Sequence, residues 1–166
     1  MLAHFPRLSS SLIYLKKKER IMKLPEYVTI EEVKKVCKAI GLSDWYEKTD
    51  PSVSGEEAAT ILNIVNTKRM NIPLEPFRKG LEVELEHGTR FEDANVTNNH
   101  PILTGKIVIA HLKETMDYYE RIDVAEMEGD LLKAILSRNI EKIESKYKKL
   151  IEAQNLLNQA VANQLK

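Results

Sequence analysis

The stretch Phe77-Arg78-Lys79-Gly80-Leu81-Glu82-Val83-Glu84-Leu85-Glu86-His87-Gly88 reads as a helix, and the rest of the chain can be ordered around it. An α-helix turns ~100° per residue, so with Phe77 at zero Leu81 falls at about +40°, Leu85 at about +80° and Gly88 at about +20°. These positions form one apolar stripe. Glu84 lands inside it, at about −20°, and His87 lies on its flank at about −80°. Glu82 and Glu86 face the opposite way and are expected in solvent, while Gly88 is the expected stop. A carboxylate on a buried face costs on the order of several kcal/mol unless it is paired or binds a metal. Glu84 is therefore the residue to explain.

A second helix, expected from Pro101 or Thr104 to about Thr115, poses the same question. With Ile107 as its zero, Leu103 and Ala110 complete an apolar face that also holds His111 and Glu114. If the two helices pack, Glu84, His87, His111 and Glu114 meet as two imidazoles and two carboxylates. His100, in the loop between them, is a fifth candidate. Such a donor set suits zinc, iron or manganese, with open positions for water or substrate. It lacks the paired Glu-x-x-His repeats of a di-iron bundle and the His-Glu-x-x-His segment of a zincin. The competing reading is structural: a buried Glu–His pair can lock two helices together without chemistry. Metal-free acid–base chemistry is a third.

Helical signals continue on both sides. Thr29 with Glu32 reads as a capping box, followed by Val33, Val36, Cys37 and Ile40 on one face and Gly41 at the end. Ser54 with Glu57 reads as a second box, opening a helix that carries Ala58, Ile61, Leu62 and Val65. Pro76 fits the first turn of the Phe77 helix. Asp117 is expected to cap a further helix, and Tyr118 and Tyr119 are expected to pack. No strand alternation is found, so the fold is expected to be all-α: about four short helices followed by a long C-terminal helix.

That last segment has heptad character. Ile140, Tyr147, Gln154 and Val161 are seven apart, as are Leu136, Ile143, Leu150 and Leu157. The offset between the sets is the a/d spacing of a coiled coil. It suits either a homo-oligomer through residues 132–166 or a helix folding back on its own domain. Gly129, just before the heptads, reads as a hinge or a close contact.

The chain of 166 residues, 43% hydrophobic, suits one compact domain with extensions. The expected division is 1–21 as an unstructured or non-native leader, 22–131 as the core domain and 132–166 as the long helix. Met22 is an alternative start, and residues 1–21 also overlap in composition with an organellar targeting segment. Balanced charge, 25 basic against 25 acidic residues, offers no argument for nucleic-acid binding. No run approaches the length of a membrane span. Cys37, the single cysteine, reads as a core thiol of a reducing compartment, which fits a cytoplasmic location. No Ser-His-Asp spacing, Gly-rich phosphate loop or Cys-x-x-Cys is present.

Residues Phe77 to Met127 resemble a family catalogued only as a domain of unknown function in bacteria, archaea and tailed phages. The resemblance rests on Glu84-Leu85-Glu86-His87-Gly88, Asn95-Val96-Thr97, Thr104-Gly105-Lys106-Ile107, Ala110-His111-Leu112 with Glu114, and Asp117-Tyr118-Tyr119 with Arg121. It implies a small helical module and no established activity. In that pattern an acid is usual where this chain has His100, which counts against His100 as a ligand. The sequence is best read as a non-enzymatic helical module whose Glu–His cluster organises the fold and whose C-terminal helix contacts a second copy or another partner. One alternative is a metal-dependent, hydrolase-like enzyme whose site is built from two histidines and two glutamates. Another is a phage-derived or virion-associated assembly protein.

Overall fold

The computed structural model describes residues 28–165, and the expectations for the leader lie outside them. Among the described residues there are six α-helices and no strand: α1 (Ile30–Ala39), α2 (Gly55–Val65), α3 (Leu74–Arg90), α4 (Pro101–Glu114), α5 (Tyr118–Leu136) and α6 (Ile140–Gln164). A 3-10 turn, Glu92–Ala94, follows α3.

Local chemistry explains most boundaries. Ser54 accepts from the Glu57 backbone N–H while the Glu57 carboxylate reaches back to the Ser54 N–H, a full capping box. Glu57 does more, also accepting from the Ser43 amide and hydroxyl and from Trp45 Nε1. Burial alone would raise its pKa, but these hydrogen bonds outweigh it and hold the carboxyl below its ordinary range. At α1 only half of the expected box forms: Thr29 accepts from Glu32 N–H, while the Glu32 carboxylate pairs with Lys35. Gly41 adopts φ +73°, the left-handed conformation that lets the chain leave α1. Gly88 does not stop α3, which runs on to Arg90. Its role is proximity, because a Cβ there would collide with Asn99 Oδ1.

α1 to α4 and the loop carrying Trp45 enclose one core, in which Val33, Trp45, Ile61, Phe77, Leu81 and Val108 are fully buried. Cys37 belongs to it, and burial pushes its thiol pKa up. Gly105 of α4 is pressed against α2, where a Cβ would meet Ile61 Cγ2 at 2.5 Å. α5 joins this body at its first turn through Tyr119 and through Asp123, which pairs with Lys79 of α3. Asp117 stands at the N-cap position of α5 without capping it. Its buried carboxylate instead binds the Arg121 guanidinium and the Thr115 hydroxyl, and the Arg121 bonds above all keep its pKa low.

The expected long C-terminal helix is present as α6, 25 residues, but the helical run from Tyr118 is not continuous. Ser137, Arg138 (φ +53°) and Asn139 break it, and the Asn139 side chain caps α6 by accepting from Lys142 N–H. α6 then runs back along α5 and packs on no other described helix. The intramolecular use of the heptads is thus realised by Leu150, with Ala134 and Ala153 buried beside it. The expected division between residues 131 and 132 falls inside α5. A Cβ at Gly129 would meet nothing within 4 Å, so this glycine marks no close contact.

Candidate functional site

Glu84 lies near the middle of α3, on its inward side, with 17% of its side chain exposed. Gly80, one turn earlier, makes room beside it: a Cβ there would collide with Tyr119 Cε2 at 2.5 Å and Val108 Cγ1 at 2.6 Å. Tyr119 of α5 uses this gap, and its hydroxyl donates to Glu84 Oε1 at 3.0 Å. Burial first, then the Glu84 charge and this hydrogen bond, drive the Tyr119 pKa far above that of a free phenol. Tyr119 is therefore a permanent donor rather than an acid that titrates near neutral pH.

His111 of α4 approaches from the other side, with Nε2 3.6 Å from Glu84 Oε1. That separation is too long for a hydrogen bond. The ring is held by aromatic contacts instead, stacked on Tyr118 at 4.1 Å between centroids and edge-on to Tyr119 at 6.1 Å. His111 Nδ1 is buried and finds no hydrogen-bond partner among the described residues. His87 places Nδ1 3.9 Å from Glu84 Oε2, but 54% of its side chain is exposed. Glu84 thus has side chains of α3, α4 and α5 within 4 Å of its carboxylate, and a hydrogen bond to Tyr119 alone among them.

The fourth expected member is elsewhere. Glu114 ends α4, is exposed and pairs with none of the other three. The reason is rotational. α4 is apolar on more than one side, and its buried residues are Pro101, Thr104, Gly105, Val108, Ile109 and Leu112. That face is turned by roughly 150° from the Leu103–Ile107 stripe chosen from sequence. His111 lies at its border and Glu114 beyond it. Among the described residues, no three His, Cys, Asp or Glu side chains are grouped to hold a metal ion.

His100 has a different task. Its Nδ1 accepts from the Ile102 and Leu103 backbone N–H groups at 3.2 and 3.4 Å, capping α4 ahead of Pro101. Only an unprotonated Nδ1 can accept. Burial lowers the His100 pKa and so favours the form that caps. Glu82, expected in solvent, is half-buried, accepts from Val53 N–H and pairs with Arg78.

Sequence reasoning missed Gly80 and the contacts made by the Asn-rich loop after α3. A glycine inside a helix costs ~1 kcal/mol relative to alanine, so one on the buried face four residues before Glu84 is a legible sign of close approach. In the loop, Asn95 Nδ2 donates to Gly88 O and to Asn99 Oδ1 at 3.1 and 2.9 Å. These bonds shape a cleft of about 270 Å³ with Glu84 and His87 beside Phe91, Val96, Thr97 and Ile107.

No helix among the described residues is long and apolar enough to cross a membrane. No curated protein and no solved structure matches the chain. Residues 33–128 do match a family, and that span contains Glu84, His87, Gly88, His111 and Tyr119; the chain belongs to the family described as Protein of unknown function (DUF5661).

Proposed function

We propose that this protein is a non-catalytic helical module: a self-contained body of α1 to α4 from which the α5–α6 hairpin extends as the element that contacts a second copy or another partner. The observation that carries this reading is the constitution of the Glu84 cluster. Its carboxylate is engaged by a Tyr119 hydroxyl that stays protonated, and its imidazoles are held by stacking or lie open to water. Such a cluster positions three helices, and Glu114 stands apart from it. The hairpin supports the second half of the reading. α6 touches only α5 among the described helices, and Leu132, Ile135, Leu136 and Ile140 remain exposed near the turn.

Elemental analysis of protein purified without added metal tests the first half. The expected result is no stoichiometric transition metal. A stoichiometric zinc, iron or manganese that disappears in both His87→Ala and His111→Ala would replace the scaffold by a metal-dependent enzyme, with a metal-bound water as its nucleophile.

A further inference from the structure

The Glu84 carboxylate is divided between two surroundings. Oε1 accepts from the Tyr119 hydroxyl and has His111 Nε2 beside it, and neither of these rings lines the cleft beside α3. Oε2 stands on the other side, 3.9 Å from His87 Nδ1, and both Glu84 and His87 do line that cleft. Oε2 accepts no hydrogen bond among the described residues, and no lysine or arginine of theirs pairs with Glu84. A mostly buried carboxylate costs free energy unless a cation or further hydrogen bonds compensate it. Tyr119 supplies one such bond, and the cleft is the open route by which a cation can supply the rest.

The walls of the cleft define what kind of cation fits. Glu84 is the single acid of its lining, which contains no lysine or arginine. Phe91, Val96 and Ile107 make it apolar, and Phe91 and Val96 are left 47% and 82% exposed. Thr104 also lines the cleft, is only 2% exposed, and its hydroxyl makes no hydrogen bond among the described residues. A nearly buried hydroxyl without a partner marks a place where a polar group can be received. The loop wall is set beforehand, because Asn95 Nδ2 holds Gly88 O and Asn99 Oδ1. Arg90 lies over the Phe91 ring, but it pairs with Glu86 and is not part of the lining.

The donor and acceptor pattern narrows the ligand further. A metal ion does not fit, because no three His, Cys, Asp or Glu side chains are grouped to hold one among the described residues. A guanidinium is best matched by a carboxylate that offers both oxygens to its planar fork, and Glu84 Oε1 is already engaged. An ammonium is a compact charge with three donors, and one free oxygen with a free hydroxyl suits it. The cleft, about 270 Å³, is smaller than the ~300–1,000 Å³ sites of drug-sized ligands, so the body attached to that charge is short. We infer that this cleft binds a small primary amine, its ammonium on Glu84 Oε2 and its apolar body against Phe91, Val96 and Ile107. Such a ligand leaves the Tyr119 bond in place, so the inference goes beyond the scaffold reading without depending on it.

Calorimetric titration of the full chain with phenethylamine at about pH 8, where a free alkylamine is still charged, is the test. Saturable one-to-one binding with a Kd of about 1 mM or tighter is expected for a ligand of this size. Phenethyl alcohol, similar in shape but uncharged, and phenylacetate, of opposite charge, should each bind at least about tenfold more weakly. Phenethylguanidine should bind no more tightly than the amine. Glu84→Gln keeps an acceptor for Tyr119 and should weaken the amine about tenfold or more with unchanged far-UV circular dichroism. Phe91→Ala, at an exposed site, should weaken it several-fold, while Glu56→Gln, which removes an exposed charge on α2, should change nothing. No saturation by about ten times the expected Kd, equal binding of the alcohol or phenylacetate, tighter binding of the guanidine, or an unaffected Glu84→Gln would each overturn the assignment. If Glu84→Gln does not fold, Phe91→Ala and the alcohol comparison decide it. The metal analysis reads a different property, so failure of the amine site and failure of the scaffold reading are separable.

Discussion

The body of α1 to α4 and the hairpin of α5 and α6 are made from the same material, amphipathic helices of ordinary length, and differ in what they bury. The body encloses Trp45, Phe77, Ile61 and Leu81 from several directions and brings backbones together at Gly80 and Gly105. Beyond Tyr119, which enters the body, the hairpin buries two alanines and a leucine and leaves isoleucines and a tyrosine outside. Three-dimensional enclosure lets large side chains leave water completely, while a two-helix layer gives each side chain only one neighbouring wall. The lesson is that a regular heptad pattern can be satisfied in part by folding back and still leave an unfinished surface.

The contrast can be tested most severely in the body. Phe77→Ala should cost about 3–5 kcal/mol, since a fully enclosed aromatic leaves a cavity that rigid neighbours do not fill. Urea unfolding followed by Trp45, the single tryptophan, measures it. Leu150→Ala in the hairpin should cost only about 2 kcal/mol, at the low end for a buried leucine, because a solvent-edged site collapses easily. Here far-UV helicity should fall before the Trp45 signal moves; coincident transitions would show that body and hairpin unfold as one.

At the junction between them, Tyr119→Phe removes the donor to Glu84 and should cost about 1.5 kcal/mol. An equally stable variant would mean that the cluster does not tie α5 to the body. The smallest effect concerns pH. His100 has its folded-state pKa below the ordinary 6.5, so the unfolded chain takes up the proton more readily. Its contribution to stability is complete above about pH 6.5 and declines as pH falls through the lower folded value. His100→Asn retains a good capping acceptor and should flatten the stability profile in that window.

Much of this was legible beforehand. The Ser54–Glu57 box, the Gly41 stop and the inward Glu84 follow from residue type and spacing alone. The misreadings share a cause. Gly88 looked like a helix end because a glycine there has two uses, termination and close approach, and only the Asn99 side chain distinguishes them. Glu114 looked buried because α4 offers two apolar faces, and periodicity does not say which one meets the body. Asp117 looked like a cap, yet Arg121 one turn on and Thr115 before it compete for the same oxygens.

Spacing along the chain by itself determined that this protein is helical, where most helices begin, and that Glu84 sits on an inward face. These follow from local energetics, which act over a few residues. Which face of α4 turns inward, that Tyr119 rather than Glu114 completes the Glu84 cluster, and that the C-terminal segment bends back at Arg138 were decided by tertiary structure. Each depends on the shape left free by neighbours remote in sequence, such as the gap at Gly80, and that shape exists only once the helices have packed.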